Sequence, residues 1–288
     1  MVTVEANAKI NLTLDILGVR SDGYHEVEMV MQSVRLFDTL RFERRADGID
    51  LKLDTREIPA NETNLAWKAA RLFLDVYKIH SGVAIEIEKK IPVAAGLAGG
   101  SADAAGTLMG MNRLFGTGLS ARELCSLGGK IGSDVPFCIE GGTMLATGRG
   151  EILRQLPDLP PLFVVLAKPP VSVSTAWAYR TYDETGSSRH PDTKAMLEAL
   201  SNERVEDIAE NLANVLEAAT TKAHPIIEAY KRVFLENGAM GSMMSGSGPT
   251  VFALAGRKAD AERAAAALSG KYSDAAVFVV PTAGRNAI

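Results

Sequence analysis

The strongest signal in the chain is a segment made almost entirely of glycine and alanine, Pro92-Val93-Ala94-Ala95-Gly96-Leu97-Ala98-Gly99-Gly100-Ser101-Ala102-Asp103. A strand ends just before it at Ile91, and the pattern after it predicts a helix that begins at about Ser101. Small side chains allow backbone N–H groups to approach a ligand closely, and a helix N-terminus adds unpaired N–H groups and the positive end of the helix dipole. The segment therefore predicts a cradle for phosphate, with a loop packed tightly under a neighbouring helix as the alternative.

Upstream of this segment, alternating apolar and polar residues indicate strands. Residues 10–16 alternate strictly, which is typical of a half-buried strand. Residues 39–43 and 49–53 alternate in the same way around an Ala-Asp-Gly turn, so the sequence predicts a hairpin between them. Two further elements are predicted before the segment: a polar-capped helix near 65–77 and a strand near 83–88.

Downstream, helices and strands follow one another irregularly. The predicted helices lie near residues 101–114, 120–131, 174–182, 193–200, 204–218, 222–236 and 258–269. The predicted strands lie near residues 142–147, 151–156, 162–167, 239–244, 250–255 and 275–280. Residues 157–170 hold five of the twelve prolines, the composition of a domain junction. This irregular mixture predicts an α+β protein of two domains, residues 1–158 and 159–288.

The composition sets limits on function. The chain has 288 residues, with 31 Lys and Arg against 35 Asp and Glu, so its net charge of −4 disfavours a nucleic-acid partner. Cys125 and Cys138 make neither a disulfide framework nor a C-x-x-C metal pair. Charged residues interrupt the N-terminus where a signal peptide would be apolar, and the longest apolar run, residues 162–167, is too short to span a membrane. We therefore expect a cytoplasmic protein without a membrane partner.

Four shorter clusters combine polar side chains with turn residues, and each allows a plain structural interpretation. In Ala8-Lys9-Ile10-Asn11-Leu12 the lysine is either functional or solvated, and in Gly132-Ser133-Asp134-Val135-Pro136-Phe137 the aspartate is either catalytic or the cap of a turn. The pair Tyr24-His25 follows an Asp-Gly turn and either contacts a base or anchors a loop. The run Ser245-Gly246-Ser247-Gly248-Pro249-Thr250 predicts an anion-binding nest or a hairpin turn. The sequence contains no Walker A motif, no GxGxxG after a strand and no protein-kinase set.

Taken in chain order, these clusters resemble the GHMP kinase superfamily over almost the whole chain, from Lys9 to about Phe252. The superfamily includes galactokinase and the homoserine, mevalonate and phosphomevalonate kinases. The resemblance implies an N-terminal ribosomal-protein-S5-like domain that binds ATP and carries the catalytic residues, a C-terminal ferredoxin-like domain, and an active site in the cleft between them. Ala94, Ala95 and Ala98 stand where many relatives have glycine. We expect them to limit positive φ there without blocking the phosphate cradle.

The resemblance also implies the roles of individual residues. Asp134 would accept or orient the proton of the acceptor hydroxyl, and Lys9 would pair with it and stabilise the developing negative charge. ATP would bind with Mg²⁺, and no dedicated metal ligands from the protein are expected. The residues implied to bind ATP are Pro92, Val93, Ala94, Ala95, Gly96, Leu97, Ala98, Gly99, Gly100, Ser101 and Ala102.

One run, Gly18-x-Arg20-x-Asp22-Gly23-Tyr24-His25, is similar to the superfamily member that acts on a cytidyl diphosphate substrate in non-mevalonate isoprenoid biosynthesis. It implies a cytosine that stacks on Tyr24 and is read by His25. The other residues implied to contact this small-molecule substrate are Asn11, Tyr179, Gly246, Ser247 and Gly248. Two alternatives stay open: a sibling kinase for another small alcohol, such as homoserine or phosphomevalonate, and a relative that senses a ligand without catalysis. We expect a monomer or a weak homodimer.

Overall fold

The structure is a computed structural model that describes residues 1–286 of the chain. The elements of the first half are β1 (Val2–Val19), β2 (His25–Arg45), β3 (Ile49–Leu53), α1 (Leu65–Val76), β4 (Gly82–Glu88), α2 (Gly99–Phe115), α3 (Ala121–Gly128), α4 (Val135–Glu140), β5 (Thr143–Thr147) and β6 (Ile152–Gln155). The elements of the second half are β7 (Phe163–Lys168), α5 (Thr175–Thr185), α6 (Thr193–Ser201), α7 (Val205–Glu210), β8 (Ala213–Asn214), α8 (Glu217–Ala223), α9 (Ile226–Glu236), β9 (Gly241–Met244), β10 (Val251–Ala255), α10 (Lys258–Lys271) and β11 (Ala276–Pro281).

The first sheet is built on the long antiparallel pair of β1 and β2, which extends from Val2 opposite Phe42 to Val19 opposite His25 with three register shifts along it. Its strand order is β3-β4-β2-β1-β8, and β5 and β6 extend it from β2. The predicted hairpin between residues 39–43 and 49–53 is wrong, because β4 lies between β2 and β3. Strands β3 and β4 are parallel, and α1 provides the crossover that a parallel pair requires. Alternation assigns each side chain to a face of its strand but does not identify the neighbouring strand.

Strand β1 is longer and more buried than its sequence pattern predicts. The alternation in residues 10–16 indicated a half-buried strand, but every residue from Ala6 to Ile16 is buried. One face packs against α2, while the polar side chains of Lys9 and Asn11 lie under the loop that contains Gly246. The polar residues of the alternation therefore face a second layer of protein and not solvent.

Helix α2 lies in the centre of the first layer and packs against α1, α4, β1 and β2. A Cβ built on Gly110 would lie 2.2 Å from the Phe42 ring, so glycine allows helix and sheet to approach closely at this point. The predicted helices near 65–77, 101–114 and 120–131 are present, the last ending at Gly128. Helix α4 was not predicted from the sequence, because six residues with a proline in the first turn give too short a pattern to detect.

The second sheet has the strand order β11-β7-β10-β9, with every neighbouring pair antiparallel. Helices α9 and α10 pack against it. Helices lie between β7 and β9 and between β10 and β11. The second sheet therefore has the βαββαβ arrangement of a ferredoxin-like domain, as the resemblance implied. The strands predicted near 162–167, 239–244, 250–255 and 275–280 are therefore all present, with small shifts at their ends.

The single helix predicted over residues 204–218 is wrong. Helix α7 ends at Glu210, β8 pairs in parallel with β1, and α8 begins only at Glu217. The Asn214 side chain causes the break, because its amide donates to the backbone carbonyls of Met244 and Gly246 while its oxygen accepts from the Leu216 N–H. Asparagine that bonds to backbone in this way competes with helix formation.

The two halves of the chain are closely connected. Strand β8 adds a strand from the second half to the first sheet, and isolated bridges join Val34 to Thr282 and Gly141 to Arg285. The chain leaves the first sheet after β6 and enters the second at β7, within the proline-rich segment. The boundary between residues 158 and 159 stays a prediction. Over residues 1–286, no helix is both long enough and apolar enough to cross a membrane.

Candidate active site

A cavity of about 890 Å³ lies between the two halves of the chain. One side is formed by β1, the N-terminal end of β2, the turn before α4 and residues 92–98 before α2, here called the Gly/Ala loop. The other side is formed by α5 and the loop after β9. The residues suggested by the sequence that line it are Lys9, Tyr24, His25, Pro92, Val93, Ala94, Ala95, Gly96, Ala98, Gly99, Gly100, Ser101, Asp134, Tyr179, Gly246 and Ser247. Residues separated by more than 200 positions in the sequence therefore share one site.

The Gly/Ala loop has a strained but well-supported backbone. Ala94 and Ala98 adopt φ of 50° and 58°, so two of the three alanines expected to limit positive φ in fact adopt it. Gly96 has φ 74°, and a Cβ built on it would lie 2.2 Å from the carbonyl oxygen of Ser245. Ser245 also donates from its hydroxyl to the Gly96 carbonyl at 3.0 Å. Contacts from the second half of the chain thus hold the loop in shape.

Helix α2 begins at Gly99, two residues earlier than predicted. Its N-cap residue is Ala98, which has no side-chain acceptor to bond the N–H groups of the first turn. The first N–H groups of a helix have no partner within the helix, so these donors and the positive end of a 17-residue helix are available to the cavity. Gly99, Gly100 and Ser101 all line that wall. The arrangement suits an anion such as phosphate.

Lys9 and Asp134 meet on the wall of the cavity. The Lys9 Nζ is 3.8 Å from the Asp134 Oδ2, with the lysine side chain 6% exposed and the aspartate side chain 30% exposed. A solvated role for Lys9 is therefore excluded by its burial. Asp134 stands at the N-cap of α4, but its side chain makes no capping hydrogen bond. The geometry therefore does not support the alternative role of Asp134 as the cap of a turn.

Asn11 positions Lys9 and does not line the cavity. Its side chain is fully buried, and its Oδ1 accepts a hydrogen bond of 2.7 Å from the Lys9 Nζ. Asn11 is therefore not placed for the expected direct contact with a substrate, and it acts on the cavity only through Lys9. Three other residues predicted for the site also lie behind its surface: Leu97, Ala102 and Gly248. Leu97 accepts from the Lys9 backbone N–H, and Ala102 is the first residue to bond back to Ala98 in α2.

Aromatic side chains gather at the end of the cavity formed by β2 and α5. Tyr24 is half exposed, and the Arg149 guanidinium lies 5.0 Å above its ring. The rings of His25 and Tyr179 are 4.9 Å apart, and the Nε2 of His25 is 2.8 Å from the Oδ1 of Asp183. Burial raises the pKa of the Tyr179 hydroxyl well above its usual range, so this group is neutral. The geometry thus provides a partly open aromatic platform for a ring, with the His25 and Tyr179 rings tilted by 42° to each other.

Sequence reasoning missed several charged residues that line the cavity: Lys89, Arg149, Arg180 and Asp183. Arg149 follows a glycine in a short turn, which could have marked it as exposed near a motif. The other contacts were not detectable, because they bring together residues far apart in sequence. With Lys9 the cavity has four basic side chains, a balance that favours an anionic ligand although the whole chain is acidic.

Lys89 also belongs to a buried cluster behind the Gly/Ala loop. Its Nζ contacts Asp38 at 2.5 Å and Asp103 at 2.7 Å. Burial raises the pKa of Asp103 to about 7, although the Lys89 charge acts in the opposite direction. Burial also opposes the charge of Lys89, but the two carboxylates raise its pKa overall. Asp38 accepts from the backbone N–H groups of Lys90 and Ile91, so the cluster fixes the start of the loop.

Comparison with known proteins identifies the family. The GHMP kinases N terminal domain matches residues 64–142, and the GHMP kinases C terminal domain matches residues 196–274. The chain therefore belongs to the GHMP kinase family, a class of ATP-dependent phosphotransferases, and it has the two-domain α+β fold of that family.

Two curated relatives and one solved structure carry the name of one kinase within the family. The 4-diphosphocytidyl-2-C-methyl-D-erythritol kinase of Acetivibrio thermocellus is 49% identical over 88% of this chain and 89% of that protein. The enzyme of the same name from Brevibacillus brevis is 48% identical over 98% of this chain and 97% of that protein. A crystal structure of 4-(cytidine 5'-diphospho)-2C-methyl-D-erythritol kinase matches with a TM-score of 0.83 at 33% identity, covering 98% of this chain and 99% of that one. A homoserine kinase from Cytophaga hutchinsonii, at 21% identity and a TM-score of 0.80, covering 100% of this chain and 97% of that one, shares the fold.

Proposed function

We propose that this protein transfers the γ-phosphoryl group of ATP to the 2-hydroxyl of 4-diphosphocytidyl-2-C-methyl-D-erythritol, giving the 2-phosphate and ADP in the biosynthesis of isoprenoid precursors. The observation that carries the proposal is the position of the Lys9–Asp134 pair. The pair lines the same cavity as the N-terminus of α2 and the aromatic platform of Tyr24, His25 and Tyr179. One site thus contains suitable groups for a donor phosphate, an acceptor hydroxyl and a nucleobase.

The Gly/Ala loop would bind the triphosphate of ATP. The N–H groups of Gly99, Gly100 and Ser101 point along the axis of α2 into the cavity, where phosphate oxygens can accept from them. Lys89 lies at the same wall, but its charge is paired with Asp38 and Asp103, so the N–H groups would provide the main attraction for the phosphates here. Because phosphoryl transfer depends mainly on positioning and charge stabilisation, these groups would supply much of the required catalysis.

The residues present also fit Mg²⁺ bound with the nucleotide. The hydroxyl oxygen of Ser101 lines the cavity, and hard oxygen donors of this kind are the ones that Mg²⁺ prefers. Few such protein donors are needed, since Mg²⁺ in kinases is bound mostly by phosphate and water. When bound, Mg²⁺ would neutralise negative charge on the phosphates during the transfer.

Asp134 would orient the acceptor hydroxyl and accept its proton as the bond to phosphorus forms. A tertiary hydroxyl is crowded and weakly acidic, so its orientation toward phosphorus matters as much as its deprotonation. Lys9, held by Asn11, would stabilise the negative charge that develops between the hydroxyl oxygen and the phosphoryl group. The two groups therefore have different roles: the Asp134 carboxylate would accept the proton, and the Lys9 ammonium would stabilise the developing negative charge.

The aromatic end of the cavity would bind cytidine. Tyr24 would stack on the cytosine ring, Tyr179 would limit the opposite side, and His25 would contact the polar edge. Arg149 and Arg180 would attract the diphosphate, while Gly246 and Ser247 would close the far wall. We further expect a monomer or weak homodimer that works in the cytoplasm.

The proposal is tested by measuring ATP consumption with purified protein and separate acceptors. We expect turnover with 4-diphosphocytidyl-2-C-methyl-D-erythritol and Mg²⁺, and none above background with homoserine or phosphomevalonate. Phosphorus NMR of the product should show a new phosphate ester while the diphosphate bridge stays intact. Turnover with homoserine and not with the cytidyl substrate would refute the proposed acceptor but keep the kinase assignment.

A further inference from the structure

Helix α5 contributes five cavity-lining residues, and two of them, Tyr179 and Asp183, are four positions apart on one face. Residues four positions apart on a helix are neighbours, so both side chains reach the same part of the site. Across the cavity wall stands His25, the first residue of β2, whose Nε2 is 2.8 Å from the Oδ1 of Asp183. The Tyr179 ring packs against the His25 ring at 4.9 Å and restricts its rotation. The family roles described above assign nothing to Asp183.

This contact determines which ring nitrogen of His25 carries the hydrogen. An ionised carboxylate only accepts hydrogen bonds, so a contact of 2.8 Å is attractive when Nε2 is the donor. In a neutral imidazole the other nitrogen, Nδ1, then has a free lone pair. Throughout residues 1–286, the histidine bonds found at this site involve Nε2, and Nδ1 has no protein partner. His25 therefore presents an acceptor to a ligand.

We propose that Asp183 is a positioning residue that holds His25 in the Nε2–H tautomer and thereby makes the site selective for cytosine over uracil. Cytosine has an amino group, a hydrogen-bond donor, where uracil has a keto oxygen, an acceptor. An acceptor at Nδ1 pairs with the amino group and repels the keto oxygen. The inference rests on the proposed function for its ligand, but the state of His25 can be examined without any substrate.

The first test is nitrogen NMR of ¹⁵N-histidine-labelled protein without ligand. The chain has four histidines, so a His25→Gln sample identifies the His25 signal. On the neutral imidazole we expect hydrogen on Nε2 and none on Nδ1. In Asp183→Asn the amide can offer either its oxygen or its NH₂ group, so we expect a mixture of both tautomers. Hydrogen on Nδ1 in the unaltered protein, or an unchanged signal in Asp183→Asn, would overturn the proposal whether or not the protein is active.

The second test is kinetic and compares the cytidyl substrate with its uridyl analogue. The unaltered protein should prefer cytidine by roughly a hundredfold in kcat/KM, because the wrong base leaves polar groups unpaired. Asp183→Asn should lose about tenfold of this preference through a higher KM for the cytidyl substrate, with kcat and the KM for ATP changed by less than about twofold. Asp183→Glu keeps the carboxylate and should retain most of the preference.

The matched control is Glu184→Gln, which removes the same charge from the next residue of α5 outside the cavity lining. We expect it to keep the full preference for cytidine. If the unaltered protein is active and Asp183→Asn is equally selective, the role of Asp183 is refuted while the proposed function stands. If the unaltered protein does not turn over the cytidyl substrate, the proposed function fails, and the NMR result alone decides the role of Asp183.

Discussion

Replacing Asp134 by Asn separates the chemical role of this residue from its structural one. Asparagine keeps the shape of the side chain and can still accept a hydrogen bond, but it cannot take a proton from the acceptor hydroxyl. The Asp134 side chain makes no capping bond to α4 and is 30% exposed, so the substitution removes little that holds the helix. We therefore expect a folded protein that binds both substrates and turns them over slowly.

The structure indicates the size of the effect. General-base catalysis contributes about 10²–10⁴-fold, so kcat should fall by at least about a hundredfold. Over the 3.8 Å between Nζ and Oδ2, the attraction between Lys9 and Asp134 is about 4 kcal/mol at an effective dielectric constant of about 20, before desolvation is subtracted. Because the two groups act together, Lys9→Met should cost a comparable factor. The double variant should lose much less than the product of both.

The assay is steady-state ATP consumption with the cytidyl substrate, combined with calorimetric binding of both substrates and a melting curve for each variant. Glu140→Gln is a matched control, because it removes a carboxylate from the end of α4 that pairs with Arg285 and not with Lys9. It should leave kcat nearly unchanged. A well-folded Asp134→Asn protein that keeps more than about a tenth of normal turnover would refute the catalytic role.

Four further substitutions test the other parts of the site. Tyr24→Ala should raise the KM for the cytidyl substrate about ten- to a hundredfold, since base stacking contributes about 1–3 kcal/mol, while the KM for ATP stays constant; an equal rise in both would indicate a structural anchor. Gly100→Val should keep the fold, because a Cβ there would lie 3.5 Å from its nearest neighbour, but should weaken ATP binding sharply; unchanged affinity in calorimetry would place the phosphates elsewhere. Ala98→Gly should raise the free energy of unfolding by about 0.5–1 kcal/mol in urea titrations, because φ of Ala98 is 58° in the native state. The control Ala95→Gly should give no gain, because φ of Ala95 is not positive. Equal changes in the free energy of unfolding for both variants would contradict the strain argument. Asp103→Asn tests pH dependence. Burial raises the pKa of the Asp103 carboxyl to about 7 in the folded state. The stabilisation that follows from this raised pKa is therefore fully present below about pH 4 and is lost as the pH rises through about 7. Urea unfolding should therefore show a fall in stability from pH 5 to pH 8 that is smaller in the variant, and parallel curves would rule this cause out.

Local patterns were sufficient for much of the fold and for the positions of the motifs. Alternation predicted β4, the strands of the second sheet were also predicted from the sequence, and the capping residues and the amphipathic pattern predicted α1. The run of Gly and Ala before α2 predicted a phosphate cradle, because small side chains and a helix start are properties of consecutive residues. The period of two along β1 also placed Lys9 and Asn11 on one face, and their side chains do meet. These signals depend on neighbours within about ten residues, which a single sequence displays.

Tertiary structure decided everything that depends on distant residues. It placed β4 between β2 and β3, and it covered the second face of β1, so that Asn11 positions Lys9 and does not reach the cavity. It brought Asp183 to His25 across 158 positions and Asp38 to Lys89 across 51. Such pairings depend on which surfaces pack together and on how much water they exclude. Burial of this kind, and the raised pKa of Asp103 that follows from it, arises only when the chain has folded.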